Sequence, residues 1–204
     1  MRDRLYERFS DPAEAFSKES RAFCYDLARS LIKRAKRESG HRWYRSEYTG
    51  KAILLLLYAW NFAARETKKL NQPKLNRLLR SSEADLRRLE RYTILSADKR
   101  AWPIIRRVFS KFMRPMGQTG ASKALSLLNP RLFVMWDTAI RLRLKKQLVP
   151  GIGNGEKPGH YVKFLKGTQQ NIRKYGINKK LKRGSVVAKK LDEFHYAKIV
   201  LRRR

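Results

Sequence analysis

Apolar residues along the chain recur at helical spacing, and no stretch shows the apolar–polar alternation of a strand. Residues 11–37 carry Phe16, Phe23, Leu27 and Leu31 on one expected face, with Ala22 and Ala28 between them. Asp11, Pro12 and Glu14 open that segment as an N-cap, a first-turn proline and a returning acid. Residues 51–69 predict a second helix, whose run from Ile53 to Trp60 is apolar nearly all round, as in a centrally buried helix. Asn71, Gln72 and Pro73 end it. A short helix over 74–80 follows, then another capped at Ser82 that turns Leu86 and Leu89 inward. Residues 97–113 place Trp102, Ile105, Val108, Phe109 and Phe112 on one face, with Pro103 tolerated in the first turns. Residues 121–128, 138–148 and 160–175 supply the remaining helices. The expected fold class is all-α.

Turn residues and chemistry coincide only in residues 114–140. Pro115, Gly117 and Gly120 follow Arg114 closely, which reads as a tight backbone turn where a phosphate can approach. The run 121–128 then carries Lys123 near its start and is stopped by Asn129 and Pro130. Residues 132–136 form an apolar plug, and Asp137 stands where the next helix begins.

This arrangement resembles the helix-hairpin-helix DNA glycosylases, the superfamily of endonuclease III and the 8-oxoguanine glycosylases. The resemblance implies that Gly117 and Gly120 form a hairpin offering backbone N–H groups to a DNA phosphate. It implies Lys123 as the nucleophile and Asp137 as the catalytic aspartate. The family hairpin reads Leu-Pro-Gly-Val-Gly; here the glycines stand three apart instead of two. Pro150, Gly151, Ile152 and Gly153 come closer in letters, but no helix-forming run follows them, so they are expected as a basic-flanked loop. The implied architecture is a two-lobed helical globule with a body over 1–175, its hairpin near 114–120, and a basic C-terminal extension over 176–204.

Charge changes the picture more than any motif. Among 204 residues, 49 Lys and Arg face 17 Asp and Glu, a formal charge of +32. Ion-pair networks of a heat-stable surface raise both signs together; here only one is raised. Self-repulsion on this scale calls for a polyanion, and nucleic acid is the obvious one. Apolar content of 42% suffices for a core, which excludes wholesale disorder. Cys24, the single cysteine, forms no disulfide within the chain and is expected as a small buried hydrophobe in a reducing, cytoplasmic setting. The N-terminus alternates charges and has no leader pattern, and the apolar run at 52–60 is too short to span a membrane. Three scattered histidines and one cysteine leave no metal-site spacing, and no cofactor is implied.

Nucleic-acid contacts are expected first from Arg42, Trp43 and Arg45, a basic–aromatic alternation that either clamps a base or plugs a gap between helices. Arg87 and Arg88 lie on an arginine-rich face. Arg114, Gly117, Gln118, Gly120 and Lys123 surround the turn, and Arg141, Arg143, Lys145 and Lys146 line the helix after Asp137. Lys179, Lys180, Lys182, Arg183, Arg202, Arg203 and Arg204 fill the extension, whose only acids are Asp192 and Glu193. The sequence reading favours a structural protein bound to ribosomal or other large RNA, with ribosomal proteins as neighbours. In that role Lys123 is a solvated helix-start lysine and Asp137 an N-cap. The alternative is a DNA glycosylase with lyase activity, in which Lys123 attacks the sugar of a flipped base and Asp137 stabilises the developing cation. Non-specific trapping of so cationic a chain on any duplex favours the scaffold.

Overall fold

The computed structural model describes residues 5, 6, 9, 20–59, 70–148 and 157–200. Seven helices cross them: α1 (Ser20–Ser39), α2 (Glu47–Ala59), α3 (Gln72–Glu90), α4 (Ala101–Leu128), α5 (Thr138–Leu148), α6 (Pro158–Lys174) and α7 (Val187–His195). A 3₁₀ turn, Gly40–Arg45, joins α1 to α2, and a π-helical turn, Tyr196–Val200, continues α7. No strand occurs among the described residues, and the fold is all-α. The expected starts of the first helix at 11–19, the end of the second at 60–69 and the loop at 150–153 lie outside the described residues.

α1 pairs with α2 through a stripe that keeps Ala22 and Ala28 of the expected face but not Phe23 or Leu27. Ala22, Tyr25, Ala28, Ile32 and Ala35 are buried, whereas Phe23 is 70% exposed and Leu27 43%. The stripe is rich in alanine, and small side chains let the two helix backbones approach closely. α2 buries Ala52, Ile53, Leu56 and Leu57 but leaves Tyr58 facing out, so its apolar run is covered on one side more than the other. A Cβ added at Gly50 would collide with the side-chain ends of Gln72 and Asn76, which would have to swing aside.

α3 is one helix where two are expected. Asn71 caps it, its side chain accepting from the Lys74 N–H at 3.1 Å. Ser81 and Ser82 read as a helix start in sequence, but Leu75, Leu79, Ser82, Leu86 and Leu89 keep one buried stripe in phase across them. Ser81 returns its hydroxyl to the Leu78 carbonyl at 3.0 Å, so helical backbone continues past it.

α4 is the organising element, two arms joined at Gly117. Pro115 removes a backbone donor just before the joint. Gly117 then takes φ 66° and ψ 178°, a region open essentially to glycine alone. The first arm buries Ile105, Val108, Phe109 and Phe112; the second, 118–128, is buried nearly all round. Across α4, Tyr161 of α6 stacks on Phe109 with centroids 4.0 Å apart, and Phe164 stacks on Trp136 at 5.2 Å.

Buried apolar side chains form one continuous cluster from Tyr6 to Ile199. Described residues from 177 onward contribute to that cluster. Ile177, Ala188, Leu191 and Phe194 are fully buried, and Tyr196 and Ile199 nearly so. Their spacing is helical, but the intervening lysines dominate the composition and hide the stripe.

Candidate functional site

The residues after α4 form an extended segment, 133–137, whose backbone is held almost position by position. The Val134 carbonyl accepts the Tyr161 hydroxyl at 2.7 Å. The Met135 N–H donates to Asp192 Oδ1 at 2.5 Å, and the Trp136 N–H to Ser122 Oγ at 3.0 Å. Ser122 lies beside Lys123 on the second arm of α4, and its hydroxyl donates to the Thr119 carbonyl at 2.9 Å. Each such buried bond stabilises by about 1 kcal/mol and costs more if half of it is removed. The consequence is positional. Asp137 can only emerge next to the turn of α4 that carries Lys123.

Asp137 Oδ1 accepts the Ile140 N–H at 2.8 Å, so the carboxylate caps α5 as expected of an N-cap. It also lines a small cavity of about 10 Å³ with Lys123, Met135, Ile140, Lys189, Asp192 and Tyr196. Lys123 is 4% exposed, which differs from a solvated helix-start lysine. Asp192 is almost fully buried, and burial pushes its carboxyl up to about 7, against the pull of Lys189, the Met135 N–H and the Ser126 hydroxyl. Burial also lowers the Lys189 amine below the usual range, partly offset by Asp192 and Glu193. Lys189 lies 3.5 Å from Glu193 and 3.8 Å from the Tyr25 ring centre. Two lysines and two aspartates thus converge on one enclosed space. Asp192 and Lys189 escaped the sequence reading because they stand in the lysine-rich stretch; their i, i+3 spacing beside Leu191 and Phe194 was the available signal.

At the mouth of the second arm, Gln118 is buried and its Oε1 accepts from Arg141 Nη1 at 2.9 Å. Gly120 is also buried. Arg114 and Arg143 are exposed nearby in sequence, and the side chains of Lys145 and Lys146 lie outside the described residues.

Several expected contacts are otherwise engaged. Trp43 is 5% exposed, stacks on Tyr44 with centroids 3.8 Å apart and donates Nε1–H to Glu90 at 3.1 Å. In this position it fills the gap between helices. The arginine-rich face of α3 is also less bare than expected. Buried Glu83 receives Arg45 at 2.6 Å and Arg87 at 2.6 Å, and Asp85 receives Arg107 at 2.7 Å. Burial opposes ionisation of Glu83, but the hydrogen bonds from Arg87 and Arg45 prevail and hold its pKa low. Arg42, Arg88, Lys179, Lys180, Lys182 and Arg183 are exposed, and Arg202, Arg203 and Arg204 lie outside the described residues.

Among the described residues no cluster of His, Cys, Asp or Glu could hold a metal ion, and no helix is long and apolar enough to cross a membrane. Compared with protein-family models, curated proteins and solved structures, the chain matches none of them.

Proposed function

We propose that the chain binds nucleic acid and works on DNA as an N-glycosylase with lyase activity, using Lys123 as nucleophile and Asp137 as the cation-stabilising carboxylate. One observation carries this reading: Lys123 is buried and lines a single cavity with Asp137. Withdrawing an ammonium from water costs several kcal/mol before any compensation from its neighbours. Ionisable groups converging on an enclosed space, two of them, Asp192 and Lys189, moved from their usual pKa by burial, suit acid–base and nucleophilic chemistry.

The neutral amine of Lys123 attacks C1′ of a nucleotide drawn out of the duplex. The bond from C1′ to the base breaks, and the base leaves with the electron pair and takes up a proton. The attacking nitrogen sheds its proton to solvent. The sugar ring then opens, O4′ taking the second proton of the amine, and leaves an imine between the Lys123 nitrogen and C1′; loss of a C2′ proton expels the 3′-phosphate and breaks the strand. Asp137 opposes the positive charge that builds at the sugar as the base departs. The cavity holds a water at most, so the nucleotide enters when its walls part.

The direct assay is strand scission of DNA containing an abasic site, with Lys123→Gln and Asp137→Asn beside the wild type. Scission by the wild type that is lost in Lys123→Gln supports the reading; equal rates in both exclude it.

A second reading, a structural protein on ribosomal RNA, is favoured by the +32 charge. Two of its supports now have other uses, since Trp43 is in the core and residues 177–199 pack into the body. The same phosphate attraction that traps a protein also lets it slide along DNA. Co-sedimentation with ribosomes from lysate at moderate and high salt separates the two. Retention on a ribosomal subunit would favour the scaffold.

A further inference from the structure

A groove of about 560 Å³ opens where the C-terminal ends of α1, α3 and α4 meet. Its charged lining is Arg29 and Lys36 from α1, His41 from the 3₁₀ turn, Arg87 and Glu90 from the end of α3, and Arg131 after α4. We propose that this groove holds the phosphodiester backbone of a single nucleic-acid strand, one to two phosphates at a time. The proposal rests on the nucleic-acid reading above and gives it a binding surface apart from the Lys123 cavity.

The cations there need weighing against a simpler use, because helix C-termini attract positive charge. Three C-terminal ends supply about half a negative charge each, and Glu90 a whole one, roughly −2.5 in all. Arg87 is already paired with Glu83, so Arg29, Lys36 and Arg131 supply three positive charges, leaving an excess of about half a charge. Part of the demand is visibly met: Arg29 donates to the Leu127 carbonyl at 3.3 Å, and Trp43 donates to Glu90. Arg131 remains, exposed, with no side-chain partner among the described residues. Lys36 sits 4.5 Å from the Trp43 ring centre, and burial lowers its pKa, an effect that a bound anion would reverse.

Shape and chemistry then select the ligand. A recess of a few hundred Å³ admits a chain one strand wide, whereas a duplex would meet only its rim. Trp43 lies beneath Lys36 and against Tyr44, so it presents no free ring for a base. The contacts on offer are therefore to phosphates, and recognition should be nearly blind to sequence.

The test is fluorescence anisotropy with thymine and adenine single-stranded oligomers and a duplex of matched length, across a salt series. Arg131→Gln and Lys36→Gln are compared with Lys99→Gln, an exposed lysine in the turn before α4. Each groove variant should flatten the salt slope by about 0.7 and weaken single-strand binding about fivefold at roughly 0.1 M salt. The loss should be equal for both base compositions, smaller for duplex, and absent in Lys99→Gln. Wild-type affinity in both groove variants, or an equal loss in Lys99→Gln or on duplex, overturns the proposal. If the groove variants bind like the wild type while scission still depends on Lys123, the groove alone falls. If the wild type binds no nucleic acid, groove and function fall together.

Discussion

Ser126 donates its hydroxyl to Asp192 Oδ2 at 2.9 Å, joining the arm that carries Lys123 to the C-terminal helix 66 residues away. The other oxygen of the same carboxyl takes the Met135 N–H. One buried side chain therefore fixes two walls of the cavity. Its folded pKa of about 7 lies above the ordinary 3.8. Between those values the folded chain holds a proton that the unfolded chain has lost, so this group makes stability fall as pH rises from about 4 to about 7. Asp192→Asn keeps an amide for both partners and removes the titration, and its urea-denaturation stability should lack that fall. Asp192→Ala strands both donors and should cost about 1–3 kcal/mol for each.

His195 acts in the opposite sense. It is fully buried, its Nε2 lies 2.8 Å from the Tyr6 hydroxyl, and burial lowers its pKa to about 3 from 6.5. Here the unfolded chain binds the extra proton, so stability is full above about 6.5 and is lost as pH falls toward 3. The two slopes oppose one another over a shared window. His195→Gln should expose the Asp192 trend, stability falling as pH rises, and Asp192→Asn should expose the reverse. Parallel pH profiles for both variants would refute the assignment.

Gly117→Ala places a Cβ at φ 66°, ψ 178°. The strain is about 1–3 kcal/mol, enough to lower the melting temperature by roughly 3–10 °C in a chain of this length. Because the turn aims the second arm, scission should fall further than stability accounts for. An unchanged melting temperature in calorimetry would show that the turn does not need glycine.

Local rules made much of this legible. Stops at Asn129-Pro130, the start of α5 at Thr138 and the inward aromatics of α4 follow from turn residues and helical spacing. Phase was harder. Phe23 and Leu27 outweigh Ala22, Ala28 and Ala35 in hydrophobicity, yet the alanines form the buried face because close helix approach favours small side chains. The buried stripe after 176 is hard to read for a related reason, since Leu191 and Phe194 are few among lysines whose stems can lie along the body while their amines reach acids or water. Lys123 and Asp137 could be named from the sequence, but their meeting depends on Ser122, Asp192 and Tyr161, which reach residues 134–136 from elsewhere in the chain. Long-range hydrogen bonds leave no local pattern to read.

Asp137 serves both helix and cavity, and two substitutions separate the roles. Asn caps a helix about as well as Asp, so Asp137→Asn should melt within a degree or two of the wild type and yet lose most release of the base from base-bearing DNA. Asp137→Ala should lose the activity and about 0.5–2 kcal/mol of stability as well. Full activity in Asp137→Asn would leave the residue a cap and nothing more.

Borohydride trapping on DNA with an abasic site tests the central claim most directly, because it reports the covalent bond itself. Reduction should fix a stable amine between Lys123 and the sugar carbon, found by peptide mass analysis on the fragment containing residue 123. The adduct should vanish in Lys123→Gln while DNA binding persists. No adduct above that of a protein with only surface lysines, or an adduct that survives Lys123→Gln, would contradict the account.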